Sequence, residues 1–529
     1  MKTRLREAVL PTVHTSVVAM LEHTATEFPE RPALVMGEEQ FNYRQLRNAV
    51  AGLARVLVAG GSQGQRVATV LPNSLVACIA PYAIAAAGAQ HVPLNPQYTA
   101  RELQYMLKDS APHILIVEDS LLDKVHPLSN GLTDCTLMPA SHIRQQLASW
   151  REMEVQDGLA ALEPDADAMA ILQYTGGSSG FPKGVNLSHR SISTNIAQRE
   201  GLLPVARGVE RVLCVMPLFH SYAMAMGLFL CGYSGSTLVV LPGYHPEKVL
   251  AAIAACEITI FPGSPTIFTG LMASTWFAST DWSRVHTCYS GSAALPAETL
   301  ERWTDATRAP IYEGYGQTEA GPVLTFNPAA GPVKVGSVGV AVAATDVQIV
   351  DLETGLNVLA PGQQGEIRAR GPQVMAGYLN LPDETREALR AGWLYTGDIG
   401  EFDADGYLYI RDRKKDLVIV GGYNVYPREV EEVLFTHPDV IDAAVVGQAD
   451  VYRGEVLRAF VVLRPGLELN AQAMKDFCVE NLSRYKVPAQ IQQMDVLPKT
   501  GVNKTDKKVL KELVRDMNSI ATPSRETNS

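Results

Sequence analysis

The sequence lacks the features of a secreted, membrane-spanning or nucleic-acid-binding protein. Its seven cysteines include no C-x-x-C pair and lie mostly among apolar neighbours, which is typical of reduced thiols in a cytosolic protein. Basic residues are outnumbered, with 45 Lys and Arg against 56 Asp and Glu and a net charge of −11, so nucleic acid is not expected as the main partner. The first residues lack a secretory apolar stretch and the last lack a peroxisomal tripeptide, so we expect a cytoplasmic protein.

Long hydrophobic runs are also missing. The most apolar segment, Leu75 to Ala89, contains Pro81 and Gly88 and is too short to span a bilayer, so it predicts a buried helix and at most peripheral membrane contact. The chain has 529 residues, more than one hydrophobic core usually supports, and we expect two or three domains.

Short apolar runs alternate with helical patterns over most of the chain, which predicts an α/β fold with largely parallel sheets. From about Gly336 the segments are separated by Gly, Pro and Asp turns, which indicates an antiparallel or barrel-like subdomain. A new α+β pattern follows the charged cluster at 411–415. We therefore predict a large N-terminal domain at 1–412 and a small, mobile C-terminal domain at 413–529. The predicted strands are 66–70, 113–117, 211–216, 237–241, 258–261, 346–351, 365–370, 406–412, 417–420, 441–446 and 457–463, and a helix is predicted at 427–436.

The stretch YTGGSSGFPKG, at 174–184, follows an apolar strand-like lead-in. Glycines let successive backbone N–H groups converge on an anion, while the hydroxyls and Lys183 add donors and charge. A mobile Gly/Ser surface turn is the alternative. The stretch is not a Walker A loop, because Phe181 and Pro182 separate glycine from lysine and the following residues predict a returning strand instead of a helix.

Four further stretches accompany this loop: EGYGQTE at 313–319, YTGD at 395–398, DRKKDLVIVGGYNVYPREVE at 412–431 and LPKTGVNKTDKKVL at 497–510. In this order and spacing the five motifs resemble the adenylate-forming superfamily of acyl-CoA synthetases, luciferases and peptide-synthetase adenylation domains. The resemblance covers nearly the whole chain, and it is strongest to bacterial medium- or long-chain fatty acyl-CoA ligases.

The resemblance implies that the chain joins a carboxylic acid to ATP, forming an acyl-adenylate and pyrophosphate, and then passes the acyl group to the thiol of coenzyme A. Mg²⁺ is expected with ATP. The first loop would then hold the β- and γ-phosphates. Gly176 stands where the family commonly has a hydroxyl residue. The implied phosphate-binding residues are Thr175, Gly177, Ser178, Ser179, Gly180 and Lys183.

In EGYGQTE the resemblance assigns Glu319 to Mg²⁺, Thr318 to a phosphate oxygen and Tyr315 to adenine stacking. A solvated loop glutamate is the alternative for Glu319. The other implied nucleotide-site residues of this part of the chain are Gly291, Ser292, Ala293, Glu313, Gly314 and Gly316.

Asp398 and Arg413 match the residues that contact ribose in the family. A carboxylate can accept hydrogen bonds from both ribose hydroxyls. An Asx-turn is the alternative for Asp398 and a surface salt bridge is the alternative for Arg413. Asp412 stands where glycine is more usual.

Lys504 matches the family lysine that bridges the attacking carboxylate and the α-phosphate, although Asn503 precedes it where glycine is frequent. The resemblance makes Lys415 the hinge about which the C-terminal domain rotates, and places Gly421 and Gly422 beside the thiol passage. A solvated basic surface is the alternative for the lysines.

The residues that bind the acid are less clearly indicated by the sequence. PLFHSYAMAMGLFL, at 217–230, places His220 before an apolar run with Met224 and Met226, and the family uses this helix to line the acid pocket. The matching histidine borders the carboxylate or the thiol tunnel in related ligases. A structural histidine and a buried core helix are the alternatives.

We predict an ATP-dependent, AMP-forming acid:thiol ligase. An aryl- or cyclic-acid CoA ligase, and an acyl-AMP ligase that loads a carrier protein, stay open, as does a homodimer. A non-catalytic nucleotide-binding protein is the remote alternative. An amino-acid adenylation domain is disfavoured, because the run after Pro217 has no aspartate to hold an α-ammonium group.

Overall fold

The computed structural model describes residues 9–153, 158–159, 162–175, 182–421, 423–450, 452–500 and 504–521, with the backbone alone described for Asn424 and 518–521. The chain divides into two compact units. The first unit comprises Met1–Gln348, Arg368–Thr396 and Asp405–Leu408, and the second comprises Ile349–Ile367, Gly397–Ala404 and Tyr409–Ser529. The predicted domain boundary after Asp412 stays a prediction.

Helices are distributed along the whole described chain. The α-helices are α1 Val17–Glu27, α2 Tyr43–Ala59, α3 Leu75–Ala86, α4 Ala100–Ser110, α5 Leu122–Ser129, α6 Ala140–Arg151, α7 His189–Leu202, α8 Ser221–Ala223, α9 Leu230–Ser234, α10 Pro246–Ala255, α11 Pro265–Met272, α12 Ala297–Thr307, α13 Pro382–Ala388, α14 Pro427–Phe435, α15 Ala471–Asn481 and α16 Lys507–Ala521. A π-helix, Met224–Phe229, joins α8 to α9, and short 3₁₀ turns are formed at Asp119–Leu121, Phe277–Ser279, Thr318–Ala320, Lys414–Asp416 and Arg484–Lys486.

The strands are short and alternate with these helices. They are β1 Pro32–Met36, β2 Glu39–Asn42, β3 Arg66–Val70, β4 Gln90–Leu94, β5 Ile114–Val117, β6 Thr136–Pro139, β7 Met169–Thr175, β8 Lys183–Ser188, β9 Arg211–Cys214, β10 Thr237–Val240, β11 Ile260–Gly263, β12 Thr287–Ser290, β13 Ile311–Tyr315, β14 Thr325–Phe326, β15 Val340–Ala341, β16 Asp346–Val350, β17 Gly365–Arg370, β18 Gly377–Tyr378, β19 Leu389–Arg390, β20 Trp393–Phe402, β21 Leu408–Arg413, β22 Val418–Val420, β23 Tyr423–Val425, β24 Val440–Asp450, β25 Gly454–Leu463 and β26 Gln490–Gln493.

Two mixed sheets form the first unit. The seven-stranded sheet has the order β18-β8-β7-β4-β3-β5-β6, and its β6-β5-β3-β4-β7 part is parallel. The nine-stranded sheet has the order β15-β14-β13-β12-β11-β9-β10-β1-β2 and is parallel from β13 to β1. The α/β fold predicted from alternating strands and helices is therefore confirmed.

Buried helices in the first unit begin where polar residues cap apolar runs. The predicted buried helix at 75–89 is α3: Ser74 accepts a hydrogen bond from the N–H of Ala77, and every residue from Leu75 to Ala86 is buried. Among the described residues, no helix is long and apolar enough to cross a membrane.

The second unit has its own sheet and core. Strands β23, β22, β25 and β24 lie in that order, and β26 also pairs with β25. Helix α14 begins at Pro427, a residue that suits the first turn because its missing N–H would have no intrahelical partner. Val430 and Leu434 of this helix are buried in one cluster with Val445 and Ala459 of the sheet. The predicted α+β pattern after 412 is confirmed.

The region predicted to be antiparallel or barrel-like forms a five-stranded sheet of order β16-β17-β20-β19, with β21 on β20. The strand prediction at 365–370 coincides with β17, and the one at 346–351 with β16 to within one residue. The prediction at 66–70 coincides with β3. The other predicted ends differ by up to four residues, because hydrogen bonding to a neighbouring strand decides where a strand stops.

Candidate active site

Strands β7 and β8 carry the two ends of the predicted phosphate loop. They pair antiparallel, with Thr175 opposite Lys183, so both predictions of the flanking strands are confirmed. The loop between them, with Gly177, Ser178, Ser179 and Gly180, lies outside the described residues. A strand pair held in register fixes where the loop begins and ends.

Tyr378, in β18, connects β8, which follows the predicted phosphate loop, to the predicted metal ligand Glu319. It lies opposite Val185 of β8, and the ammonium of Lys183 is 5.0 Å from the centroid of its ring. Its hydroxyl donates a hydrogen bond to Oε1 of Glu319 at 3.0 Å. Burial, reinforced by the charge of Glu319, raises the pKa of Tyr378, so the hydroxyl keeps its proton and stays a donor.

Glu319 lies in the short 3₁₀ turn Thr318–Ala320. Its backbone carbonyl accepts a hydrogen bond from the N–H of Met375 at 2.9 Å, three residues before Tyr378. The Glu319 carboxylate is therefore positioned through both its backbone and its side chain. Thr318, next to it, has its hydroxyl 3.4 Å from that of Ser221.

His220 stands at the N-terminus of α8, where its Nδ1 accepts a hydrogen bond from the N–H of Tyr222 at 3.3 Å. The preceding carbonyl, that of Phe219, accepts a hydrogen bond from the amide of Gln173 in β7 at 3.1 Å. The start of the predicted acid helix therefore contacts strand β7 through Gln173 and contacts Thr318 through Ser221.

Glu313 and residues 291–293 lie in β13 and directly after β12, which are neighbouring strands. Glu313 is buried, and its Oε1 accepts a hydrogen bond from the N–H of Leu295, which braces the loop after β12. Within that loop Gly291 is buried against Tyr222, while Ser292 and Ala293 are exposed.

Close packing explains the glycines of EGYGQTE. A Cβ at Gly316 would lie 1.9 Å from the carbonyl oxygen of Pro322, and one at Gly314 would overlap the ring of Phe326. Tyr315, between them, ends strand β13 and is half-buried. The two glycines thus allow the tight path that places Tyr315 and Thr318.

The predicted acid helix is interrupted by a wider helical segment. Residues Met224–Phe229 form a π-helix, and every residue from Tyr222 to Leu230 is buried. The hydroxyl of Tyr222 is among the buried polar atoms that have no hydrogen-bond partner in the described part of the chain. The sequence predicted an apolar helix here but carried no sign of the π-helical register.

Three charged residues of separate motifs meet in the second unit. Oδ1 of Asp398 lies 3.1 Å from Nε of Arg413, and the carboxylate is buried while the guanidinium is half exposed. Lys504 interacts electrostatically with both Arg413 and Asp398. Burial lowers the pKa of Lys504, the positive charge of Arg413 lowers it further, and Asp398 opposes the shift.

Two hydrogen bonds join Lys504 to Thr500. The N–H of Lys504 donates to the hydroxyl of Thr500 at 3.2 Å, and the N–H of Thr500 donates to the carbonyl of Lys504 at 2.7 Å. Asn503, the departure from the family pattern, lies outside the described residues.

The predicted hinge and thiol-passage residues are also in this unit. Lys415 is in the turn Lys414–Asp416, and burial followed by the charge of Arg413 lowers its pKa. Gly421 has φ +56° and open space around its Cβ position, and its N–H donates to the carbonyl of Arg453 at 2.8 Å. Gly422 lies outside the described residues.

Asp412 has a structural reason to differ from glycine. Its Oδ1 accepts a hydrogen bond from the N–H of Arg413 at 2.7 Å, and its Oδ2 accepts one from the N–H of Arg428 at 2.9 Å. The second bond satisfies a backbone donor in the first turn of α14, where a carboxylate also interacts favourably with the helix dipole. The carboxylate therefore connects the segment before Lys415 to the start of this helix.

Sequence reasoning did not find Tyr378 and Gln173. Both are ordinary strand residues outside the motifs, and a single sequence contains no pattern that would distinguish them. Their role follows only from the fold, in which strand pairing brings Tyr378 beside Val185 and the amide of Gln173 reaches the carbonyl of Phe219.

Known proteins resemble this chain over nearly its full length. The AMP-binding enzyme family model matches residues 21–379, and the AMP-binding enzyme C-terminal domain model matches residues 429–504. A long-chain-fatty-acid–CoA ligase of Bacillus subtilis (strain 168) is 37% identical over 94% of each chain. A feruloyl-CoA synthase of an Amycolatopsis species is 35% identical over 90% of this chain and 94% of its own.

Solved structures agree with these matches. The crystal structure of ATP-bound MatB from Rhodopseudomonas palustris superposes with a TM-score of 0.88 at 29% identity, covering 95% of this chain and 99% of that one. The first family model spans the motifs at 174–184 and 313–319, and the second covers part of those at 412–431 and 497–510. The chain therefore belongs to the AMP-binding enzyme family and is an AMP-forming acyl-CoA synthetase of the adenylate-forming superfamily.

Proposed function

We propose that this acyl-CoA synthetase acts on medium- or long-chain fatty acids, in the cytoplasm. The observation that supports this substrate class is the uninterrupted burial of the apolar run from Tyr222 to Leu230, which begins beside Thr318. A long-chain-fatty-acid–CoA ligase 37% identical to this chain supports the same class. All seven cysteines are free thiols, in keeping with a reducing compartment.

In the first half-reaction, an oxygen of the fatty-acid carboxylate attacks the α-phosphorus of ATP. The new O–P bond forms as the bond from the α-phosphorus to the bridging oxygen breaks, and pyrophosphate leaves with that oxygen. Two anions must approach each other, so positive charge at the reacting oxygens lowers the barrier. We assign this role to the ammonium of Lys504, and the binding of the ribose hydroxyls to Asp398 and Arg413.

The β- and γ-phosphates are assigned to the loop between Thr175 and Lys183 and to the hydroxyl of Thr318. Glu319 is assigned to Mg²⁺. No group of three or more His, Cys, Asp or Glu side chains among the described residues is arranged to hold a metal alone. One carboxylate fits Mg²⁺ because this ion takes phosphate oxygens and waters as its other ligands. Bound Mg²⁺ would neutralise phosphate charge, and the hydrogen bond from Tyr378 would hold the Glu319 carboxylate in one orientation.

In the second half-reaction, the thiolate of CoA attacks the acyl carbonyl carbon. The C–S bond forms, the C–O bond to phosphate breaks, and AMP leaves. We propose that residues 413–529 move as a domain about Lys415 between the two half-reactions, with Gly421 and Gly422 beside the pantetheine arm. His220 is proposed to border the acid carboxylate.

The substrate class is tested by measuring pyrophosphate release over straight-chain fatty acids from butyrate to stearate, with and without CoA, and by mass spectrometry of the products. We expect CoA thioesters and the highest kcat/KM with medium- or long-chain acids. The highest kcat/KM with butyrate, or products other than CoA thioesters, would contradict the proposal.

A second candidate is an aryl-acid substrate. The buried hydroxyl of Tyr222 has no hydrogen-bond partner in the described part of the chain and could accept one from a phenolic substituent. A feruloyl-CoA synthase 35% identical to this chain supports this candidate. Adding benzoate, cinnamate and ferulate to the same panel decides between them, because the preferred series will differ in kcat/KM.

A further inference from the structure

A π-helix determines which side chains the predicted acid helix presents. In the segment Met224–Phe229 the helix is wider than an α-helix, so each following side chain is rotated from its α-helical direction. Segments of this kind are rare and are often found at functional sites. The lining of the proposed acid pocket therefore depends on whether this register is kept.

One hydrogen bond from a distant helix reaches this segment. The hydroxyl of Tyr82, in α3, donates to the carbonyl of Leu228 at 3.0 Å. A hydroxyl that donates to a carbonyl within a helix competes with the helix's own hydrogen bonds, and so favours a locally widened backbone over a regular α-helix. Tyr82 is 1% exposed, so water does not compete for this bond.

The position of the Tyr82 hydroxyl is tightly confined. A Cβ at Gly232, in α9, would lie 2.2 Å from Oη of Tyr82, while the next ring atom would be at 3.2 Å. The ring of Tyr82 packs edge-on against Phe229, with centroids 5.5 Å apart. Gly232 thus leaves the space that the hydroxyl needs to reach Leu228.

The same helical segment begins at the proposed active site. The hydroxyl of Ser221, the first residue of α8, which leads into Met224–Phe229, is 3.4 Å from that of Thr318, and Tyr222 packs against Gly291. A change in the register of Met224–Phe229 would alter the pocket beyond these residues without touching any charged group.

We propose that Tyr82 is a positioning residue that determines acid specificity. By donating to Leu228, it keeps Met224–Phe229 in the π-helical register and so sets the depth and shape of the acid pocket. This inference rests on the proposed acid pocket, but it concerns selectivity and is independent of whether the preferred acid is aliphatic or aromatic.

The test compares kcat/KM for pyrophosphate release over the aliphatic and aromatic acid series in four proteins: wild type, Tyr82→Phe, Gly232→Ala and the double variant. Tyr82→Phe removes the hydroxyl, and Gly232→Ala displaces it. We expect both single variants to change the ratio of kcat/KM between neighbouring chain lengths by about tenfold, the size of a one-methylene effect in a fitted pocket. The KM for ATP should not change.

The double variant provides the sharper result. Without the hydroxyl, the nearest Tyr82 atom to the new methyl group is the ring carbon at 3.2 Å, so Gly232→Ala should add little to Tyr82→Phe. Tyr233→Phe is the matched control, because it also removes a tyrosine hydroxyl that donates to a backbone carbonyl, that of Thr12, but outside the π-helix. It should leave the selectivity unchanged.

An unchanged acid profile in Tyr82→Phe, or an equal loss with every acid, would overturn the proposal, and so would additive effects of the two substitutions. If Tyr82→Phe does not accumulate as folded protein, the Gly232→Ala profile decides by the same criterion. Failure of the wild type to release pyrophosphate with any acid would instead contradict the proposed function, before any variant is compared.

Discussion

The charged group of the second unit and the acid helix of the first unit are built in opposite ways. Asp398, Arg413 and Lys504 come from three separate motifs, and each brings a functional group whose chemistry is evident from the residue type. The residues from Ser221 to Ser234 are contiguous, but what they do depends on a backbone register set by Tyr82, far away in the chain. The proposed role of the charged group depends on side-chain identity, whereas the proposed role of the acid helix depends on backbone conformation.

This difference gives contrasting signatures for variants. A change in the charged group should reduce turnover with every acid, because every acid presents the same carboxylate group to the same α-phosphate of ATP. A change in the acid helix should redistribute activity among acids.

Lys504→Ala should reduce adenylation by about 10²- to 10³-fold for every acid, because it removes a charge that neutralises the transition state. Transfer from preformed acyl-adenylate to CoA should fall far less. The two half-reactions are measured by single-turnover pyrophosphate release and by thioester formation from synthetic acyl-adenylate.

Lys508→Ala is the control for this variant, since Lys508 is an exposed lysine four residues away, in helix α16. It should retain wild-type rates. Equal losses in both half-reactions of Lys504→Ala, or a loss restricted to some acids, would remove the basis for its assigned role.

Glu319→Gln should lower adenylation by about 100-fold and raise the Mg²⁺ concentration needed for half-maximal rate, because an amide is a weaker ligand for a hard cation. The rate is followed as pyrophosphate release during a Mg²⁺ titration at saturating ATP and acid.

Tyr378→Phe isolates the orienting hydrogen bond from the ligand itself. It keeps the ring beneath the Lys183 ammonium but removes the donor to Glu319, and we expect about a tenfold loss with a smaller change in Mg²⁺ requirement. A Tyr378→Phe enzyme as impaired as Glu319→Gln would mean that Glu319 acts through Tyr378 and not on the metal.

Gly421→Leu should slow thioester formation by about tenfold while pyrophosphate release is retained. The backbone at φ +56° disfavours a side chain, although the Cβ position is open, so folding should be only modestly destabilised, by about 1 kcal/mol. The side chain would then obstruct the proposed pantetheine passage. Both half-reactions are measured separately, together with the melting temperature.

Gly466→Leu matches this change in strain. Gly466 has φ +84° and open space at Cβ, and it is in the same unit. It should lose similar stability but keep thioester formation. If thioester formation is slow in both variants, backbone strain causes the effect, and obstruction of the pantetheine passage does not.

The smallest effect concerns pH. Burial lowers the pKa of Lys504, so its ammonium loses its proton at lower pH than an ordinary lysine, and adenylation should decline on the alkaline side through that pKa. Asp398→Asn should move this decline to lower pH, because Asp398 raises the pKa, and Arg413→Ala should move it to higher pH, because Arg413 lowers the pKa. Single-turnover pH profiles at saturating ATP check both directions, and shifts of opposite sign would contradict the proximity of these charges.

The sequence alone determined the α/β fold, the antiparallel return of β8 after the phosphate loop, and the motif residues that carry charge. Strand β17 was predicted to the residue, because its apolar alternation is bounded by turn residues on both sides. Motifs of this kind can be recognised in a sequence because few residue types supply a carboxylate, an ammonium group or the conformational freedom of glycine. The roles of Glu319, Asp398, Arg413 and Lys504 in catalysis stay predictions until the variants above are measured.

Only the tertiary structure decided which residues support those groups. Tyr378 orients Glu319 because β18 pairs with β8, and Tyr82 reaches Leu228 because α3 packs beside the acid helix. Neither residue belongs to a motif, and Met224–Phe229 has the composition of an ordinary buried α-helix. Such contacts arise from packing between segments far apart in the chain. The local sequence of a helix therefore does not indicate which distant residue will stabilise one backbone register over another.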